Sequence, residues 1–351
     1  MSVPPLVTVV IPVRNEAGWI DRCLQAVFGQ DYPPERLEII VADGMSTDGT
    51  YKRLLALASE QPRLQVLRNP ARVVPSSLNL AINAARGDVI ARVDAHTLVA
   101  PDYISAGVET LTRTGGDNVG GPMIKIGGGP VGDAIASAMT SRFGIGSHFH
   151  FARSDLQVDT VYMGMWPREV FERIGLFDEE LVRNQDDEFN CRLRKHAGRI
   201  FLTPRMRSRY QNRQSWHKLA RQFFEYGLWK ARVLQKHPAQ MSPRHFLPPL
   251  FDLSVILALA VAPFWKPALL LVAGALCAYV SVVGAVALSH TRDPKAWFRL
   301  VLAFALIHHA WGAGFLTGMV RFGHRWFKPE QPERRPEWSR GRGALEGETE
   351  P

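Results

Sequence analysis

Hydrophobic and polar positions along the first third of the chain fall into blocks, and the blocks change period. "LVTVVIPV" (residues 6–13) is a short, continuous apolar run of the kind buried in a parallel sheet. After it, Ile20, Leu24, Val27 and Phe28 fall on one helical face. "LEIIVA" precedes "STDGTYKRLLALASE", where a Ser/Thr/Asp cluster offers a cap to a helix. "RLQVLRN" precedes "PSSLNLAINAA", and "DVIARV" follows. Four strands separated by helices predict an α/β fold with a doubly wound, mostly parallel sheet. Ligands of such sheets sit beyond the C-terminal ends of the strands, where Asp43 and Asp94 lie.

Further along, the pattern turns almost continuously apolar, in segments near 247–265, 267–288 and 298–320. Each approaches the ~20 residues that a bilayer span needs. Asp252 interrupts the first, and His308 and His309 the third; only Lys266 separates the first from the second, which predicts a tight hairpin. Ahead of them, residues 215–237 put Trp216, Leu219, Phe223, Tyr226 and Val233 along one helical side. Lys218, Arg221, Arg232 and Lys236 fall largely on another. Such a helix suits a membrane interface and is also compatible with packing on the domain. The expected division is a globular domain over 1–212, an interfacial helix and linker over 213–245, and about three membrane-embedded helices over 246–321. A disordered tail rich in Pro, Glu and Arg follows over 322–351. Three full crossings would carry that arginine-rich tail away from the N-terminal domain, against the positive-inside tendency, so the sequence leaves its side open.

Charge and cysteine content narrow the partners. Lys and Arg number 42 against 33 Asp and Glu, a net charge of +9 that suits phosphates or a membrane surface. No nucleic-acid recognition motif accompanies it, so nucleic acid is not an expected partner. Cys23, Cys191 and Cys277 are isolated, which argues against a disulfide framework or structural zinc and fits a reducing compartment. The first apolar run lacks a basic leader and is broken by Pro12, so it reads as a strand and not a signal peptide, with its domain in the cytoplasm.

Asp94 and His96 stand two residues apart after an apolar strand, a spacing that sets both side chains on one side of an extended chain. Such a pair either holds a metal or closes a loop. In chain order "IPVRNEA", "VADGMSTDGT", "RVDAH" and "RNQDDEFNCRLRKHAG" resemble the successive signatures of the family 2 glycosyltransferases, a likeness that covers roughly residues 6–230. With the apolar segments, the chain looks most like exopolysaccharide glucosyltransferases of the succinoglycan type. The resemblance implies a GT-A nucleotide-sugar-binding fold. It places Asp43 at the uridine and Pro12, Arg14 and Glu16 along the nucleotide pocket. Asp94-Ala95-His96 takes the place of the Asp-x-Asp motif that holds Mg²⁺ or Mn²⁺ against the donor diphosphate. Histidine replaces the second aspartate here, and imidazole suits Mn²⁺ better than Mg²⁺.

By the same resemblance Asp186 is the catalytic base, with Asp187 as its rival and Gln185 where glutamate is usual. Three acids opening a helix would also complement its positive N-terminus. "VYMGMWPREVFERIGLFDEEL", which contains Gly164, resembles the acceptor-side segment. Arg213 and Trp216 lie where processive synthases carry Gln-x-x-Arg-Trp; that spacing is absent, which favours one sugar per encounter. "VGGPMIKIGGGPVGD" has no Walker-type pattern and reads as a mobile loop. The implied activity is metal-dependent, inverting transfer of a sugar, glucose from UDP-glucose, to a lipid-linked saccharide at the cytoplasmic face of the cell membrane, in exopolysaccharide or cell-surface glycan synthesis. The competing readings are transfer to polyprenyl phosphate itself, as in dolichyl-phosphate-type synthases, and a non-catalytic membrane subunit that retains the fold.

Overall fold

The computed structural model describes residues 3–144, 153–212, 214–326 and 334–339. The predicted alternation is present: β1 (Val7–Val13), α1 (Ile20–Phe28), β2 (Leu37–Asp43), α2 (Thr50–Glu60), β3 (Leu64–Arg68), α3 (Val74–Ala84) and β4 (Val89–Arg92). The chain continues through β5 (Thr97–Val99), α4 (Tyr103–Thr114), β6 (Asn118–Gly120), β7 (Met123–Ile126) and α5 (Gly129–Thr140). Then come β8 (Leu156–Gln157), β9 (Met165–Pro167), α6 (Glu169–Ile174), α7 (Gln185–Lys195), β10 (Ile200–Leu202) and β11 (Ser208–Gln211). Four long helices follow: α8 (Trp216–Lys236), α9 (Leu247–Val261), α10 (Pro267–His290) and α11 (Pro294–Arg321).

These elements form two compact units. Met1–Ile124, His148–Tyr210 and Gln331–Pro351 make the first, and Lys125–Ser147 and Gln211–Glu330 the second. The first is built on a mixed sheet in the order β3-β2-β1-β4-β9-β6-β10-β8. β3, β2, β1 and β4 run parallel, whereas β9 is antiparallel to both its neighbours. Alternate residues of β1 serve opposite faces, as pleating requires. Val7, Val9 and Ile11 pack with α1, α2 and α4 through Leu24, Leu54 and Tyr103. Val10 packs the other way, with α3, α6 and α7 through Ile82, Phe171 and Phe189. With both faces covered, the central strands read as unbroken apolar runs.

Within the expected tail, residues 334–339 are docked on this first unit. The Leu176 amide donates to the Arg334 carbonyl (2.8 Å) and the Glu337 amide to Asn83 Oδ1 (3.1 Å). Trp338 donates from Nε1 to Glu172 (3.0 Å) and lies under the Arg168 guanidinium, 3.9 Å from ring centroid to Cζ.

In the second unit, α8 opens at Ser215, whose Oγ accepts from the Lys218 amide (3.3 Å), matching the predicted start. On its apolar side Leu219, Phe223 and Val233 are buried and Trp216 and Tyr226 half-buried; unexpectedly, Lys230 and Arg232 are buried as well. Three helical stretches, Pro243–Val261, Pro267–His290 and Pro294–Arg321, are long and apolar enough to cross a membrane.

Candidate active site

The parallel strands β1, β2 and β4 end together, and the loops after them carry most of the predicted residues. In register, Val13 lies beside Asp43 and Asp43 beside Arg68. Pro12 sits in β1 past the last residue paired with β4, so its missing N–H breaks no bond on that side. The loops after β1 and β2 are laced together: Ser46 Oγ accepts from the Asn15 amide (2.9 Å), Asp48 from Ala17 (3.0 Å), and Asn15 Oδ1 from Thr47 (2.8 Å). The Ser/Thr/Asp cluster therefore does more than start α2. Asp48 accepts from the Thr50 amide (3.0 Å), but the cap position itself is Gly49 at φ 94°, without a side-chain cap.

Asp43 is fully buried, accepts from the Ser46 amide (3.1 Å) and lies 3.5 Å from Arg68. Arg14 is exposed and reaches the Arg72 carbonyl (3.5 Å). Glu16 is tied by its amide to Thr50 Oγ1 (2.9 Å), and its carboxylate lies 3.2 Å from His96 Nδ1.

β4 stops at Arg92, and Asp94 and His96 lie in the turn that follows, closed by a bond from the Thr97 amide to the Asp94 carbonyl (2.9 Å). The two side chains are thus arranged by a turn and not by an extended strand. Arg92 holds the centre: its Nε donates to Asp94 Oδ1 (2.8 Å) and its Nη1 to Asp186 Oδ1. Tyr162 donates to the other Asp94 oxygen (2.8 Å). Burial alone would raise the Asp94 carboxyl, but the adjacent guanidinium overrides it and holds the group below its ordinary range. Asp186 moves the other way. Burial pushes it up, and Arg92 only partly opposes this.

Asp186 is placed by α7, whose first residues follow Asn184 in the left-handed region at φ 62°. Asn15, Met45 and Met163 also have positive φ, so four non-glycine residues in this sparsely populated region line the loops of one site. Such strain persists only where surrounding contacts enforce it. Behind Asp186, Phe189 stacks on Phe177 (4.5 Å between centroids), and the buried Glu188–Arg192 pair (2.9 Å) fixes the helix to the Ile174 and Leu176 carbonyls. Gly164 bonds by its carbonyl to the Arg92 amide (3.0 Å), and a Cβ there would lie 2.3 Å from Asn118 and Trp166, so its position demands glycine. Trp216 begins α8 in the second unit, and Arg213 lies outside the described residues.

Two residues of this centre, Arg92 and Tyr162, escape the motif-based reading. Arg92 carries a signal all the same: a charge inside the apolar run "DVIARV" needs a partner when buried. For a divalent cation, Asp94 supplies a hard oxygen and His96 a borderline nitrogen. No group of three His, Cys, Asp or Glu is assembled among the described residues. That sparse set fits a cation which takes its remaining ligands from phosphates and water.

The sequence profile of glycosyl transferase family 2 matches residues 8–175. The succinoglycan biosynthesis protein ExoA of Rhizobium meliloti (strain 1021) is 31% identical over 336 residues, 90% of this chain and 96% of that protein. A Methanococcus voltae enzyme, the dolichyl N-acetyl-alpha-D-glucosaminyl phosphate 3-beta-D-2,3-diacetamido-2,3-dideoxy-beta-D-glucuronosyltransferase, is 29% identical over 238 residues, covering 66% of this chain and 74% of its own length. Among solved structures, the mannosyltransferase PcManGT of Pyrobaculum calidifontis, in complex with GDP-Man and Mn²⁺, superposes with a TM-score of 0.58 at 22% identity. That match covers 91% of this chain and 88% of the other, and carries the fold.

Proposed function

Because the chain belongs to glycosyl transferase family 2, we propose that it moves a sugar, glucose from UDP-glucose, onto a lipid-linked saccharide in exopolysaccharide or cell-surface glycan synthesis. The reaction is a single displacement with inversion. The Asp186 carboxylate takes the proton of the acceptor hydroxyl as that oxygen bonds to the anomeric carbon. The bond from this carbon to the diphosphate oxygen breaks, and the nucleoside diphosphate leaves with the electron pair. Asp43, with Pro12, Arg14 and Glu16, receives the nucleotide. Asp94 and His96 would hold Mn²⁺, or less favourably Mg²⁺, whose positive charge would offset the negative charge of the diphosphate. The enzyme works at the cytoplasmic face of the cell membrane, where a lipid-linked acceptor resides.

One observation carries this reading. The Asp94–Arg92–Asp186 chain of ion pairs ties a carboxylate poised as base to the carboxylate expected at the diphosphate. Similarity to a succinoglycan biosynthesis protein over nearly the whole chain supports the substrate class, and similarity to the dolichyl-linked saccharide transferase supports the lipid-linked acceptor. Replacement Asp186→Asn is expected to keep the thermal shift produced by UDP with Mn²⁺ and to lower transfer by about 10²–10⁴-fold, the worth of a general base. Asp187→Asn is expected to retain most activity. Full transfer by the Asp186 variant would remove the assignment.

A further inference from the structure

The three apolar helices differ in what covers them. In the most apolar window of each, 6% of residues are buried in the first, 11% in the second and 39% in the third. Leu250, Ile256 and Leu257 of α9 and Leu270 and Leu271 of α10 are exposed, as lipid-facing side chains are. Of the large apolar side chains of α11, only Phe298 and Val320 are exposed to that degree.

What covers α11 is chiefly α8. A Cβ on Gly314 would lie 2.1 Å from the Phe224 carbonyl oxygen, one on Gly318 2.4 Å from that of Leu228, and Gln235 donates to the Phe322 carbonyl (2.9 Å). Contacts at 224, 228 and 235 thus meet 314, 318 and 322 in rising order. The helices run parallel, in close backbone contact, over most of α8. Helices packed this way share a direction to within about 20–50°. α8 carries Lys218, Arg221, Glu225, Lys230, Arg232 and Lys236, spread over a length of roughly 30 Å. A helix charged from end to end lies along a bilayer surface and does not cross its core.

The tail supplies an independent constraint. Residues 334–339 bond to Asn83, Glu172 and Leu176 of the same α/β unit that holds Asp94 and Asp186. The chain that leaves this unit for the membrane therefore returns to the side it left, which requires an even number of crossings.

We infer that the α9–α10 hairpin alone crosses the bilayer, and that α11 lies at its surface beside α8. The surface they offer fits a lipid bilayer entered by one hairpin. Its tip, residues 262–266, bears a single basic residue, Lys266, whereas Arg292, Arg321, Arg325, Arg334 and Arg335 stay on the side of the catalytic unit, as the positive-inside tendency favours. The polar groups of α11 agree. His309 pairs with Asp252 (2.7 Å) near the start of α9, and His308 lies 2.9 Å from Tyr279 Oη and 3.1 Å from the Phe143 carbonyl.

The test is labelling of the full chain by a membrane-impermeant maleimide in right-side-out and inside-out vesicles. Cys277→Ser removes the exposed thiol, and Cys23 and Cys191 are buried. Four exposed positions are then replaced singly: Lys52→Cys on α2, Lys266→Cys at the hairpin tip, Arg292→Cys between α10 and α11, and Arg335→Cys in the tail. Positions 52, 292 and 335 are expected to react in one vesicle orientation and position 266 in the other. Reaction of 335 opposite to 52 would establish an odd number of crossings and overturn the inference. Reaction of 292 opposite to 52 would make α11 a crossing helix, and reaction of 266 together with 52 would make the hairpin a dip; either result also overturns it.

Discussion

Arg92 illustrates how one residue sets the chemistry of its neighbours. Buried and bonded to two carboxylates, it favours the ionised form of both: it holds Asp94 below its ordinary pKa against the effect of burial, whereas burial still leaves Asp186 above its own. The sign of a substitution follows. Arg92→Gln removes the guanidinium that lowers the Asp186 pKa, so that pKa rises and more of the base is protonated at a given mildly acidic pH. The acidic limb of the transfer rate is then expected to move to higher pH, as read from a pH profile of kcat. Stability is expected to fall by about 3–5 kcal/mol, because two partly buried carboxylates lose their partner. A fall in Tm with an unmoved limb would make Arg92 a structural residue only. Its neighbour His96 shows the limit of local reading, since its place beside Glu16 and in edge contact with Tyr210 (4.9 Å) is set by a turn.

Among elements, the α8–α11 pair depends most on single positions. Gly227, Gly314 and Gly318 let the two backbones approach: a Cβ on Gly227 would lie 2.1 Å from the Trp311 carbonyl oxygen, as close as that of Gly314 to Phe224. Gly314→Ala is expected to force the helices apart and cost about 1–3 kcal/mol, the usual range for overpacking. Gly274→Ala on α10, where a Cβ would meet nothing within 4 Å, is expected to be neutral or slightly stabilising. Thermal unfolding of both variants in detergent checks the contrast; equal effects would mean that the close approach is not what holds the pair. Periodicity predicts the boundaries of α8 well, but Arg232 falls on a position that a two-faced helix would expose, whereas Lys230 stands on the apolar side itself, four residues after Tyr226, where only a charge is unexpected. The burial of Arg232 follows from α8 being covered on more than its apolar side.

On the scale of the whole molecule, the docked segment 334–339 ties the stretch beyond α11 to the α/β unit that opens the chain. Trp338 contributes both a hydrogen bond to Glu172 and a cation–π contact with Arg168, worth about 1–2 kcal/mol. Trp338→Ala is expected to expose the tail to limited proteolysis while leaving transfer kinetics unchanged; an unaltered cleavage pattern would show that the segment is held by other contacts. Composition reads this Pro-, Glu- and Arg-rich stretch as disordered, because nothing local in it suggests a partner. The alternation of strands and helices, the apolar segments, the start of α8 and the acidic opening of α7 are all legible in the sequence, since each rests on spacing within a few residues. The sequence also supplies Asp43, Asp94 and Asp186 as candidates through their motifs. Only the tertiary structure decides that Arg92 joins two of them, that the loops after β1 and β2 are laced by Ser46 and Asp48, and that α11 is covered by α8. Those relations join residues tens to almost a hundred positions apart, and side-chain charge or periodicity carries no record of which distant backbone will stand opposite.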